Sequence, residues 1–242
     1  TAIRTTIVTR ILSLETSGDF ASAALWADGT VTLNLFKEKN RHTESLLSLV
    51  DEVLKRSNLT VSDMDAVAFG AGPGAFTGLR VACGAAQGLA WAIEKPTVAV
   101  GNLAAAAYAQ MQKDPSVNRI TVVNDARMHE CYTGTYERGE DGTPAAVREA
   151  ELVKPETLAS YLTDVGAQAV TGTALSAYAD EIRIPEGVRV IASEQISAED
   201  IVRLAAVMFA KGETTDPHLA APLYVRNRVA LTIEQRCAGE KL

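Results

Sequence analysis

Ile11-Leu12-Ser13-Leu14-Glu15-Thr16-Ser17 is the stretch on which the fold turns. A short, mostly apolar run that closes on an acid reads as a buried strand delivering a carboxylate to its end. Outward from it, residues 21–27 and 31–36 are two more strand-like runs, separated by Asp28-Gly29. Asp-Gly between apolar runs marks a hairpin, because both residues tolerate the positive φ of a tight turn. From residue 43 to 56 the period changes. Leu46, Leu47, Val50, Val53 and Leu54 fall on one helical face, with Thr43 as the expected cap and Glu44 in the first turn. A strand at 66–70 follows, then the loop Ala71-Gly72-Pro73-Gly74 and a long small-residue helix at 77–93. Pro96 ends that stretch; a strand at 97–100 and a helix at 103–112 complete the first half.

The second half restarts the pattern. Residues 120–124 form a strand ending at Asp125, as the first strand ends at Glu15. Runs at 131–137 and 146–152 make a hairpin around residues 139–142. Helices are expected near 155–162 and at 198–211, with a strand at 169–171 between them. Two strand-hairpin-helix units, each opening on a strand that ends in an acid, predict a duplicated α/β architecture. The actin-like ATPase fold, two ribonuclease-H-like lobes with a crevice between them, has that form. The expected lobes are residues 11–113, with a C-terminal return at 218–226, and residues 118–212.

With 242 residues and 47% hydrophobic content, the chain can bury a substantial core, but only 5% is aromatic. Packing must therefore rest on Ala, Val, Leu and Ile. A formal charge of −7 with scattered Lys and Arg supplies no basic surface for phosphates, so tRNA or DNA is not an expected ligand of the chain alone. Cys83, Cys131 and Cys237 are odd in number and form no CxxC pair, which excludes an all-paired disulfide framework and a thiolate zinc site. No apolar stretch approaches the ~20 residues of a membrane span. Residues 1–10 show no signal-peptide core and read as a leader before the first strand. A cytoplasmic location is expected.

Gly72-Pro73-Gly74-Ala75-Phe76-Thr77-Gly78 is the sharpest local feature. Glycines let backbone approach a ligand or another chain closely, and a following helix N-terminus can hold an anion. The string is no Walker A loop, since no Lys-Ser/Thr follows; a tight turn that serves packing alone fits the residues equally. On the helix after it, Ala82, Gly84, Ala85, Ala86, Gly88 and Ala90 leave a surface almost without side chains. Glycine in a helix costs about 1 kcal/mol relative to alanine, so two of them point to close approach by another element. One face is expected against the chain's own sheet and a second against a partner. In a nucleotide-hydrolysing member of this fold, acids placed like Glu15 and Asp125 orient magnesium or water, yet the glycines that should accompany them are poor here. His42, His129 and His218 have no ligand spacing and read as surface or capping residues. No catalytic grouping of Ser, Cys, His and Asp can be assembled.

Five strings together resemble one family: 11–17; Arg41-His42-Thr43-Glu44-Ser45-Leu46-Leu47; Gly72-Pro73-Gly74-Ala75-Phe76-Thr77-Gly78-Leu79-Arg80-Val81; Asp125-Ala126-Arg127-Met128-His129-Glu130-Cys131-Tyr132; and Pro222-Leu223-Tyr224-Val225-Arg226. The chain resembles the TsaB (YeaZ) family of bacterial proteins concerned with threonylcarbamoyladenosine in tRNA. The resemblance implies a division of labour. A paralogous transferase, TsaD, carries a metal on a His-x-x-x-His motif; here Asn102 and Ala106 stand at those positions, and neither replaces an imidazole. The implied role is a non-catalytic subunit with no metal and no cofactor of its own, joined by TsaD and the ATPase TsaE, and homodimeric when alone. It would meet tRNA only through the complex. ATP or ADP would lie at the shared interface, with Glu15, Thr16, Ser17, Gly72 and Gly74 as the contacts. The expected partner interface comprises Leu46, Leu47, Val50, Val53 and Leu54 with Leu79, Cys83, Gly84, Gln87 and Gly88. Two departures weigh on nucleotide contact: Glu15 stands for the family's usual Asp, and Ala75 for a common Ser. The alternative is an enzyme in its own right, an actin-fold ATPase, small-molecule kinase or glycoprotease-like hydrolase.

Overall fold

A computed structural model of the chain describes residues 9–27, 29–36 and 42–226; Asp28, Arg41 and Cys237, singled out above, lie outside them. Strands β1 (Arg10–Glu15), β2 (Ala21–Ala27) and β3 (Thr30–Phe36) form an antiparallel meander. Ala27 pairs with Thr30, which makes β2 and β3 the expected hairpin, and Gly29 has φ 84°. Helix α1 (His42–Arg56) starts one residue before the expected cap, which places Thr43 inside its first turn. Strand β4 (Ala66–Gly72), helix α2 (Phe76–Ala92), strand β5 (Thr97–Gly101) and helix α3 (Asn102–Lys113) follow. The sheet order is β3-β2-β1-β4-β5, with β4 and β5 parallel to β1.

The second half repeats it. Strands β6 (Arg119–Asp125), β7 (Cys131–Arg138), β8 (Pro144–Val153), β9 (Ala169–Thr171) and β10 (Arg189–Val190) assemble in the order β8-β7-β6-β9-β10. Each position matches its counterpart in the first sheet. This is the two-lobed actin-like fold. The helices of this half are α4 (Leu158–Asp164), the one-turn α5 (Ala174–Ala177) and α6 (Ala198–Ala210).

Period-2 alternation in β1 explains the layering. Leu12 and Leu14 face a core shared with α1 and α2, where Leu46, Val50, Val53, Leu54, Ala82, Cys83, Ala86 and Ala90 are buried. Ile11 faces the opposite side with Ala24, Ala66, Ala68, Val98 and Val100, and that side is covered by Ile201, Val202, Leu204 and Ala205 of α6. Ser13, also on that side, donates to the Ala198 carbonyl at 2.7 Å, and Ser22 Oγ accepts from the Ala198 N–H at 2.9 Å. The buried serines of β1 and β2 thus seat the start of α6. In return Leu103, Ala107 and Met111 of α3 pack on Ile120, Val122, Tyr136 and Ala169 of the second sheet. The lobes exchange their last helices. A linear division at 113 and 118 does not describe this, because α6, assigned by it to the second lobe, completes the core of the first.

A fragment ending at residue 116 would leave Ile11, Ala24, Ala66 and Ala68 without their cover. It is expected to show no cooperative urea transition by circular dichroism, whereas a cooperative one would show that α6 is dispensable to the first sheet.

Candidate functional site

The turn after β1 and the glycine loop after β4 meet in one joint. Thr16 Oγ1 donates to the Gly78 carbonyl at 2.7 Å, and the Ala75 N–H donates to the Ser17 carbonyl at 3.0 Å. A Cβ on Gly78 would collide with the Thr16 carbonyl, and one on Gly74 with the Ser17 side chain. Gly78 is therefore required by backbone contact within the chain, and Gly74 by the seat of the Ser17 side chain. Asn102, at the start of α3, closes the joint: its Nδ2 donates to Ser17 Oγ at 2.6 Å and its Oδ1 accepts from the Gly72 N–H at 3.1 Å. A position that carries a metal histidine in the resemblance is here a buried amide tying three segments. Ala106, the second such position, lines the cleft and offers no ligand atom.

Glu15 lies under this joint and is buried. Its Oε1 accepts from both the N–H and the Oγ of Ser17 at 2.6 Å. Its Oε2 has no partner and occupies the space where a side chain on Gly70 would sit, beside Asn102 Oδ1. Burial pushes the carboxyl up from 4.5 to about 6, against the lowering effect of the Ser17 hydrogen bonds and with a further upward push from Asp200.

A cleft of about 510 Å³ opens between the lobes beside the joint. Ser17 and Gly74 line it, with Asn124, Asp125 and Thr173 from the second lobe and Asp200 from the start of α6. Of the five expected nucleotide contacts, the structure brings all together, but Glu15, Thr16 and Gly72 lie beneath the surface of the cleft. Asp125 is engaged by its own lobe: Oδ1 accepts from the Arg127 N–H at 2.8 Å and from the Tyr178 hydroxyl at 2.9 Å, and Oδ2 pairs with Arg127 at 2.9 Å.

Beyond Asp125 the chain takes a turn that sequence does not reveal. Arg127, Met128 and His129 are consecutive left-handed residues, with φ of 60°, 55° and 60°. Each costs on the order of 1 kcal/mol outside glycine. Arg226 restrains them, donating to the Ala126 and Arg127 carbonyls at 3.1 and 3.3 Å and pairing with Glu130. The same C-terminal return crosses α2, where Tyr224 packs on Phe76 with ring centroids 5.4 Å apart and accepts from Arg80 at 3.0 Å. The 72–81, 125–132 and 222–226 strings are thus one contiguous structure.

The expected interface residues divide sharply. Leu46, Val50, Val53, Leu54, Leu79 and Cys83 are buried in the chain's own core and present nothing to a partner. Helical periodicity marks an apolar face without saying what covers it, and here the first sheet does. Gln87 is engaged internally, donating to the carbonyls of Pro217 at 3.1 Å and Ala220 at 3.0 Å. Leu47 is 61% exposed, and Gly84 and Gly88 are open. Trp91, 64% exposed one turn beyond Gly88, belongs with them and was missed because a single aromatic at a helix end carries no pattern.

The family model described as tRNA N6-adenosine threonylcarbamoyltransferase (TsaD) matches residues 37–223. A protein of Escherichia coli (strain K12), named tRNA threonylcarbamoyladenosine biosynthesis protein TsaB, is 35% identical over 224 residues, covering 91% of this chain and 96% of that one. The chain belongs to the TsaB (YeaZ) family. The structure of YeaZ from Pseudomonas aeruginosa superposes with a TM-score of 0.78 at 32% identity, over 89% of this chain and 99% of that one. The Lmo2764 protein of Listeria monocytogenes, at 10% identity and a TM-score of 0.50 over 85% of this chain and 100% of that one, shares the fold alone. Among the described residues no helix is long and apolar enough to cross a membrane.

The raised Glu15 carboxyl sets a pH dependence. The folded protein keeps a proton that the unfolded chain loses between pH 4.5 and about 6. That contribution is fully present below pH 4.5 and is lost as pH rises through 6. Glu15→Gln, which removes the charge, is expected to be more stable than the parent by about 2 kcal/mol at pH 7.5 and no more stable at pH 4 in urea denaturation. An offset that stays constant with pH would show that the buried charge is not its cause.

Proposed function

We propose that this TsaB-family chain acts in threonylcarbamoyladenosine formation as a non-catalytic subunit. It would hold and position the TsaD transferase through the outer face of α2. The observation that supports this is the contrast between the faces of that helix. Ala82, Ala86 and Ala90 are fully buried on the sheet, so small residues there serve the chain's own packing. Gly84 and Gly88 face outward, and a Cβ built on either meets no described atom within 4 Å. Nothing inside the described chain requires them. Two helical glycines nevertheless forgo about 1 kcal/mol each relative to alanine. A neighbour outside the chain gives that loss a reason: bare backbone lets a second helix approach closely. Leu47 and Trp91, both largely exposed, supply apolar area on the two helices that cover this side of the sheet.

The engaged state of Asp125, the buried Glu15 and the Asn102–Ala106 substitution support the non-catalytic half of the reading. Ser17 and Gly74 line the cleft, so ATP or ADP held with the transferase would meet the chain there. The ATPase TsaE is proposed as a third member, and a second copy of the chain as the occupant of the α2 face when the transferase is absent. With a net charge of −7, tRNA is proposed to reach the chain through the complex.

Gly88→Arg tests the face. Because the site is open, the variant is expected to melt within a few degrees of the parent. It should bind the transferase at least about tenfold more weakly by calorimetry, a loss of about 1.4 kcal/mol. Unchanged affinity in a folded variant would remove α2 from the interface.

A further inference from the structure

On the outer side of the second lobe, three segments remote in sequence converge. His129 comes from the left-handed turn between β6 and β7, Glu156 from the 3-10 turn Pro155–Thr157 ahead of α4, and Glu181 from the chain beyond α5. His129 Nε2 lies 3.0 Å from Glu181 Oε2 and 3.7 Å from Glu156 Oε2, and the three ligand atoms all lie within 4.8 Å of one another. Among the described residues no other trio of His, Cys, Asp or Glu comes so close.

The spacing fits a metal as well as it fits an ion pair. Two ligands of a tetrahedral zinc, each at ~2.1 Å, stand about 3.4 Å apart; the distances of 3.0 and 3.7 Å bracket that value. The charges favour the metal. Nearby Asp125 has Arg127 and Glu130 has Arg226 as cationic partner, but Glu156 and Glu181 share only the imidazole among the described residues. One histidine, even protonated, cannot neutralise two carboxylates, whereas a dication can.

We propose that His129, Glu156 and Glu181 bind a divalent first-row transition ion, with zinc as the best match to one imidazole nitrogen and two carboxylate oxygens and water as the fourth ligand. The ion ties the β6–β7 turn to the entrance of α4 and the exit of α5. Tyr178 carries the tie toward the cleft: its ring meets His129 edge-on at 5.5 Å and its hydroxyl donates to Asp125. The sequence spacing of the histidines conceals such a site, because its ligands come from three separate segments.

Zinc chloride titrated into the tag-free, chelator-stripped full chain by calorimetry tests this. One saturable ion per chain is expected, with no comparable binding of magnesium. At zinc about a hundredfold above its Kd, melting should rise by on the order of 5–10 °C. His129→Asn keeps a residue type that tolerates the left-handed backbone. It, Glu156→Gln and Glu181→Gln should each fold and each lose at least about tenfold in zinc affinity. No saturable binding up to about 1 mM zinc, or full affinity retained by any of the three folded variants, overturns the site.

Discussion

The backbone contact between Thr16–Ser17 and the glycine loop is the constraint on which the rest of the first lobe depends. It joins the end of β1, the end of β4, the start of α2 and, through Asn102, the start of α3. Any side chain at Gly78 would force these elements apart. The same contact consumes the N–H groups of Gly72 and Ala75, which a phosphate cradle would aim at a ligand. The glycine-rich string is thus a joint. Its rim, Ser17 with Pro73, Gly74, Ala75 and Phe76, is what it offers the cleft.

Fixing α2 at its N-terminus also fixes what its two faces do. Alanines sink into the sheet while Gly84 and Gly88 are held outward, an arrangement whose cost to the helix is not repaid within the described chain. The C-terminal return then braces the same helix through Gln87 and Tyr224 and runs on to Arg226, which restrains the left-handed turn of the other lobe. Packing surface, cleft rim and inter-lobe strap are consequences of one seated helix. The exchange of α3 and α6 between the sheets makes the lobes interdependent in the same sense.

Most of the architecture was legible in the sequence because it rests on period. The 11–17 strand, the hairpin of 21–27 with 31–36 and the restart at 120–125 each follow from local pattern and turn chemistry, and the two sheets repeat one order, as a duplicated architecture requires. The two-residue β10 and one-turn α5 were too short to carry a period. The exchange of terminal helices was not legible, since amphipathicity says that a face is buried without saying by which sheet. The candidate site was read less well for the same reason. Leu46, Val50, Val53 and Leu54 form a real apolar stripe, but it is core. Asn102 looked like a lost ligand and proved to be a tie. The convergence of His129 with Glu156 and Glu181, and the three left-handed residues after Ala126, depend on tertiary contacts that no spacing encodes.

The central claim is that this TsaB-family chain supplies structure and surface to a shared reaction while carrying no chemistry of its own. ATP turnover by the purified chain, measured beside a Glu15→Ala, Asp125→Ala double variant shown to be folded, tests it most directly. The account expects both proteins to stay at the buffer background. Turnover by the parent that disappears in the double variant would contradict it and make the chain an enzyme.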